Sequence, residues 1–134
     1  MFSWPVRVYY EDTDAGGVVY HANYLCFLER ARTEWLRSLG LEQDQLRQRD
    51  NILFAVRQLE IDYLKPARFN DALIVSAAVA RMGRASFTFA QTIVREADGV
   101  ELCRAEVKVA CVDATTFRPC AIPENIKAEI GSDH

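Results

Sequence analysis

The hydrophobic period of this chain changes once, and that change limits the fold. Between Ala22 and Leu39, the residues Tyr24, Leu28, Ala31, Trp35 and Leu39 recur at steps of four and three, forming one continuous helical stripe. Gly40 follows as a natural helix stop. From Ile52 onward the period is two. Leu59, Ile61 and Tyr63 alternate with Glu60 and Asp62, and Leu73, Val75, Ala77 and Val79 form the next run. Phe87, Phe89 and Ile93 follow, then Cys103, Ala105, Val107, Val109 and Cys111 alternating with Arg104, Glu106 and Lys108. "SWPVRVYY" at the start alternates in the same way, with Trp4, Val6, Val8 and Tyr10 on one side.

A helix of this length spans about 27 Å, and a strand of roughly ten residues reaches about 33 Å. The two match, so a twisted sheet with one apolar face can curl around the helix and bury both. The expected fold is therefore α+β, a long central helix wrapped by a curved antiparallel sheet of about five strands. "EQDQLRQRD" reads as a short exposed second helix, and "IPENIKAEI" as a closing one with Pro123 as its first residue. Asp98-Gly99 is a hairpin signal, Gly83 breaks the pair before it, and short links imply that sequential strands are antiparallel neighbours. A single-layer sheet leaves open edges, which subunit pairing commonly covers, so a homo-oligomer is expected.

Composition bounds the rest. At 134 residues the chain fits one domain, residues 1–134. Sixteen basic residues are scattered among 19 acidic ones for a net charge of -3, which leaves no footprint for a phosphate backbone; no nucleic-acid partner is expected. No apolar run approaches the roughly 20 residues of a transmembrane helix, and "MFSWPVRVYY" lacks a basic start before an apolar stretch, so a cytoplasmic location is expected. Cys26, Cys103, Cys111 and Cys120 show no zinc-like spacing and read as reduced, small apolar side chains; no metal is expected.

The chemistry concentrates in "YYEDTDAGGVVYHANY", where Glu11, Asp12 and Asp14 precede Gly16 and Gly17 at the entrance to the long helix. A helix start presents unpaired backbone N–H groups and partial positive charge, suited to a developing oxyanion. The glycines allow a tight path and close approach of a substrate. A carboxylate there can attack a carbonyl carbon or deprotonate water. The residues alone leave the bland readings open: the acids as caps and dipole partners, His21 as a packing histidine, Tyr9 and Tyr10 as plain strand residues.

"YYEDTDAGGVVYHANYLCFLERARTEWL" resembles the signature of hotdog-fold acyl-CoA thioesterases of the 4-hydroxybenzoyl-CoA thioesterase type. More narrowly it is similar to the Tol-Pal-associated thioesterases of Gram-negative bacteria, and "KPARFNDAL" and "CVDATTFRPCAIPENI" continue the likeness. The resemblance implies a helix wrapped by a curved sheet, dimers made by edge pairing, commonly tetramers, and sites at the dimer interface. It raises Asp14 to nucleophile or general base. It places His21 where a backbone N–H polarises the thioester carbonyl, with its imidazole and the Tyr10 hydroxyl in the site. Tyr20 and Asn23 match further motif positions and read equally as positioning residues or helix-start structure; Gly17 is a substrate-binding candidate through the close approach its backbone allows.

The reaction so implied is hydrolysis of an acyl thioester to acid and thiol, with coenzyme A or the pantetheine arm of acyl carrier protein as thiol carrier. Coenzyme A is then part of the substrate, and no separate cofactor is expected. Lys65 and Arg84, with Arg68 and Arg81, fall at turns and strand ends where CoA phosphates could be met. Two rival readings are a hotdog hydratase or dehydratase and an envelope-linked scaffold that binds acyl carrier protein. The first wants a second histidine, and the only other one is the terminal His134.

Overall fold

The computed structural model describes residues 1–132; His134 lies outside them. Its elements run β1 (Phe2–Arg7), α1 (Asn23–Ser38), α2 (Gln43–Asp50), β2 (Ile52–Tyr63), β3 (Ala72–Met82), β4 (Ser86–Arg95), β5 (Glu101–Asp113) and α3 (Glu124–Ser132). A 3₁₀ turn, Tyr10–Asp12, follows β1.

α1 forms where the stripe predicts. It buries Tyr24, Phe27, Leu28, Ala31, Trp35 and Leu36. Its end is closed by Gly40 at φ 78°, with Gly40 N–H donating to Arg37 O and Leu41 N–H to Leu36 O, a Schellman arrangement that satisfies two terminal carbonyls. α2 buries only Leu46. Pro123 stands just ahead of α3 rather than inside it.

The sheet is antiparallel throughout, in the order β1-β3-β4-β5-β2. One expectation from link length fails here: β2 and β3 are consecutive but not neighbours, since β2 pairs with β5 at the opposite edge. The "KPARFND" link instead carries the chain past the start of α1, where Val19 N–H donates to Ala67 O and Asn70 N–H to Val8 O. The β4–β5 hairpin does turn at Asp98-Gly99, with Gly99 at φ 71°.

The inner face of the sheet carries Val75, Phe87, Phe89, Ile93, Cys103, Val107 and Cys111, all buried against the helix. Gln91 lies on that same face and is 1% exposed. Its Nε2 donates to Leu28 O of α1 and Ser76 O of β3, and its Oε1 accepts from Arg32 Nη1. α1 packs chiefly over β1 and β3, so the inner row of β2 is left uncovered: Val56 is 53%, Leu59 37% and Tyr63 46% exposed. Ile61 packs against the core while Leu59 and Tyr63 stay largely open, so this alternation marks a strand face that one chain covers only in part.

Candidate active site

The loop between β1 and α1 is built around Asp12. Its side chain is buried at 6% exposure; Oδ2 accepts Tyr9 N–H at 2.8 Å and Oδ1 accepts Asn23 Nδ2 at 2.9 Å. Its carbonyl accepts Tyr20 N–H at 2.8 Å. One residue therefore fixes the strand exit and the helix entry together, and both of its carboxylate oxygens are engaged. Asn23, a candidate for the substrate, is taken up by this clamp and serves the helix start.

Asp14 begins a tight turn of its own. Its N–H donates to Val18 O and its carbonyl accepts Gly17 N–H, while Thr13 bridges Val19. Gly17 takes φ 78°, a left-handed conformation that favours glycine. The Asp14 Oδ1 accepts Gly16 N–H at 2.8 Å. Among the described residues Oδ2 has no partner, so the side chain is held by one oxygen and offers the other.

His21 follows at the foot of α1. Its neighbours on either side are engaged: Tyr20 O accepts Asn23 N–H at 2.8 Å, and Ala22 O accepts Leu25 N–H at 3.1 Å. Among the described residues the His21 N–H has no acceptor, which leaves a backbone donor facing out at the positive end of a 16-residue helix. The His21 carbonyl accepts from the Tyr63 hydroxyl at 2.8 Å.

A hollow of about 330 Å³ is lined by Asp14, His21, Tyr24, Tyr63 and Lys65 among others. Tyr24 accepts Ala67 N–H at 3.0 Å and sits edge-on to Tyr63, with ring centroids 5.3 Å apart. Burial pushes both tyrosine hydroxyls above their ordinary pKa, so they stay protonated at neutral pH. Among the described residues no group of three or more His, Cys, Asp or Glu side chains is arranged to hold a metal.

The sequence candidates are thus partly gathered. Asp14, His21 and Lys65 share the hollow, and Gly17 shapes the turn beside it. Tyr20, 46% exposed, lays its ring against the His21 ring at 4.6 Å. Tyr10 is elsewhere. It leaves the strand pattern because the Asp12 carboxylate draws Tyr9 N–H into the 3₁₀ turn, and its ring stacks on Phe69 at 4.0 Å and 9°. That pair borders a larger hollow of about 600 Å³ with Arg7 and Asn70. Arg84 is farther still. Lys65 N–H pairs with Leu102 O at one end of β5, while the turn holding Arg84 lies beside Ala110 at the other, about 26 Å along the strand. Sequence reasoning missed Tyr63 as a site residue; its signal was a tyrosine with a polar tip at the last inner position of "LEIDY".

A helix wrapped by one curved five-stranded antiparallel sheet, with a carboxylate turn at the helix start, defines a hotdog-fold protein of the thioesterase type. Residues 8–130 match the thioesterase-like superfamily, and the chain belongs to it. It is 50% identical over 127 residues to the acyl-CoA thioesterase YbgC of Haemophilus influenzae, covering 95% of this chain and 92% of that one. Against the acyl-CoA thioester hydrolase YbgC of Escherichia coli O157:H7 it is 48% identical over 129 residues, 96% and 95% of the two chains. The crystal structure of a 1,4-dihydroxy-2-naphthoyl-CoA thioesterase from Synechocystis superposes with TM-score 0.90 at 25% identity, over 99% of this chain and 98% of that one. A probable thioesterase from Bartonella henselae gives TM-score 0.85 at 34% identity, over 90% and 98%.

Proposed function

We propose that this protein is an acyl-CoA thioesterase, hydrolysing the thioester to a free acid and coenzyme A, with Asp14 and the His21 N–H as its working groups. The observation that carries the reading is their pairing. A half-free carboxylate and a residue whose helix-start N–H has no acceptor among the described residues line one hollow, in a chain half identical to an acyl-CoA thioesterase over nearly its whole length. The thioester carbonyl oxygen sits on the His21 N–H, where charge develops in the tetrahedral intermediate. Asp14 Oδ2 either attacks the carbonyl carbon, giving an anhydride that water opens, or takes a proton from the attacking water. Lys65, exposed at the rim, meets the negative charge of the pantetheine-phosphate side. An acyl carrier protein thioester presents the same pantetheine end and is a second donor of the same class. The open edge of β2, with Val56 and Leu59 uncovered, fits a homo-oligomer in which a second copy completes the acyl pocket. The reading places the enzyme in the bacterial cytoplasm, where acyl-CoA is found.

The test is a panel of short, long, hydroxylated and aromatic acyl-CoAs, with acyl carrier protein thioesters alongside, assayed for thiol release. Asp14→Asn should lower kcat by about 10²- to 10⁴-fold, the usual contribution of a base or nucleophile, while the fold persists. Full turnover by that variant would remove Asp14 from the mechanism. Single-turnover hydrolysis in ¹⁸O water separates the two routes, because only the anhydride leaves label in the Asp14 carboxylate.

A further inference from the structure

We propose that Tyr63 is a positioning residue for the oxyanion site, fixing the peptide unit that follows His21 and thereby the direction of the His21 N–H. The inference rests on the proposed role of that N–H. Its basis is the way the chain enters α1.

His21 precedes the N-cap Ala22, and for its carbonyl to join the helical ladder it would have to accept from Leu25 N–H, four residues on. Here Leu25 N–H reaches Ala22 O instead, and Asn23 N–H reaches Tyr20 O, so the chain enters α1 through a tighter turn. The His21 carbonyl is left outside the helical ladder. Tyr63, 42 residues away on the edge strand β2, supplies the missing donor at 2.8 Å. The His21 N–H shares its peptide plane with the Tyr20 carbonyl, which accepts Asn23 N–H, so its direction depends on that turn staying closed. With both flanking peptide units held, the intervening φ and ψ of His21 have little freedom. Without the Tyr63 hydroxyl the His21–Ala22 unit inside that turn is loosened, and the plane carrying the Tyr20 carbonyl and the His21 N–H can tilt with it.

The tyrosine is itself braced. Its ring lies edge-on to Tyr24, which is 3% exposed and accepts Ala67 N–H, and edge-on to the His21 ring at 6.4 Å and 90°. An oxyanion donor acts through preorganisation, since it must already lie about 2.7–3.1 Å from where the charge will appear. A hydroxyl that holds such a donor acts in the transition state without touching the substrate. The alternative role is a simple staple between β2 and α1, which would affect stability and leave turnover per folded molecule unchanged.

Tyr63→Phe keeps the ring contacts and deletes only the hydroxyl. On an acyl-CoA turned over by the wild type, kcat should fall about tenfold with KM within about twofold, and the midpoint of thermal unfolding should move little. As a readout that needs no turnover, the His21 backbone amide is followed by ¹⁵N NMR on adding a ketone analogue of the acyl-CoA, in which a methylene replaces the thioester sulfur. The wild type should show a large downfield shift, and Tyr63→Phe a much smaller one. An unchanged kcat, a loss confined to KM, or an equal analogue shift in both proteins overturns the proposal. Asp14→Asn assayed beside it keeps the two readings apart. An inactive Asp14→Asn with a fully active Tyr63→Phe removes Tyr63 alone. A wild type without hydrolysis removes the thioesterase reading, and the analogue shift then decides Tyr63.

Discussion

Gln91→Ala is the most demanding test of how the central helix is held. Gln91 is a 1% exposed amide in the middle of an apolar face, and it makes three bonds to two other elements: to α1 through Leu28 O at 3.1 Å and the Arg32 guanidinium at 3.0 Å, and to β3 through Ser76 O at 3.1 Å. The β3–β4 ladder depends on side chains at this level, because Thr92 N–H also turns to the Ser76 hydroxyl at 2.9 Å. Three bonds at a net of about 1 kcal/mol each give a loss of roughly 3 kcal/mol. Leu28 O keeps its helical partner, and Arg32 is half-buried with a path to water, so the heaviest single loss is the orphaned Ser76 O. For a domain of this size the Tm should fall by about 10 °C. The assay is urea and thermal unfolding followed by circular dichroism at fixed protein concentration, since self-association shifts apparent stability. A double-mutant cycle with Arg32→Met, which keeps the aliphatic stem, should return a coupling of about 1 kcal/mol for the one shared bond. A loss below about 1 kcal/mol for Gln91→Ala would refute the reasoning, showing that water replaces the amide without cost.

Two further outcomes follow from the site and the core. Gly17→Ala adds a Cβ that meets nothing within 4 Å, so its cost comes from the φ of 78° alone. It should lower stability by about 1–2 kcal/mol and reduce kcat through the Asp14 turn; an unchanged kcat would show that the turn tolerates another path. Burial pushes the Cys103 thiol up to about 12 and the Cys111 thiol also upward, while Cys26 is exposed. A raised pKa keeps the reactive thiolate scarce at pH 8. Thiol titration of the native protein at that pH should therefore label Cys26 first, with Cys103 and Cys111 reacting only in denaturant. Rapid labelling of all four would contradict the burial.

What could be read from the sequence was whatever a single element fixes by itself. The stripe of α1, its glycine stop, the Asp98-Gly99 hairpin and the inner rows of β3 to β5 are local patterns, and the structure repeats them. The misread positions depend on what lies across the fold. Tyr10 continues the β1 alternation on paper, yet the Asp12 carboxylate competes for Tyr9 N–H and ends the strand at Arg7. The order of strands was hidden because a seven-residue link can as well cross the fold as turn a hairpin. The separation of Arg84 from Lys65 within one chain could also have been read from the strand between them. Once Lys65 precedes β3 and Arg84 follows it, an 11-residue strand separates them, and one chain cannot bring both to the same end of its sheet.

The three acids of the loop show why residue type alone could not assign the chemistry. Asp12 and Asp14 are two residues apart, with the same side chain at the same helix entrance. Asp12 points back under the turn, is buried, and has both oxygens taken by the two segments it joins. Asp14 lies on the turn itself, is exposed, and gives one oxygen to Gly16 N–H. In the proposed mechanism the clamp is what holds the nucleophile or base in place. With Asp12 and Asn23 locking the loop to α1, Asp14 and the His21 N–H stay in fixed relation, and a carboxylate that is only weakly basic in water gains from orientation what it lacks in basicity. Tyr63 extends that logic to the edge strand. The same β2 row that leaves Val56 and Leu59 exposed also carries the hydroxyl on the His21 carbonyl. In the proposed oligomer, pairing at β2 would therefore stiffen the oxyanion site as it covers the open face of the sheet.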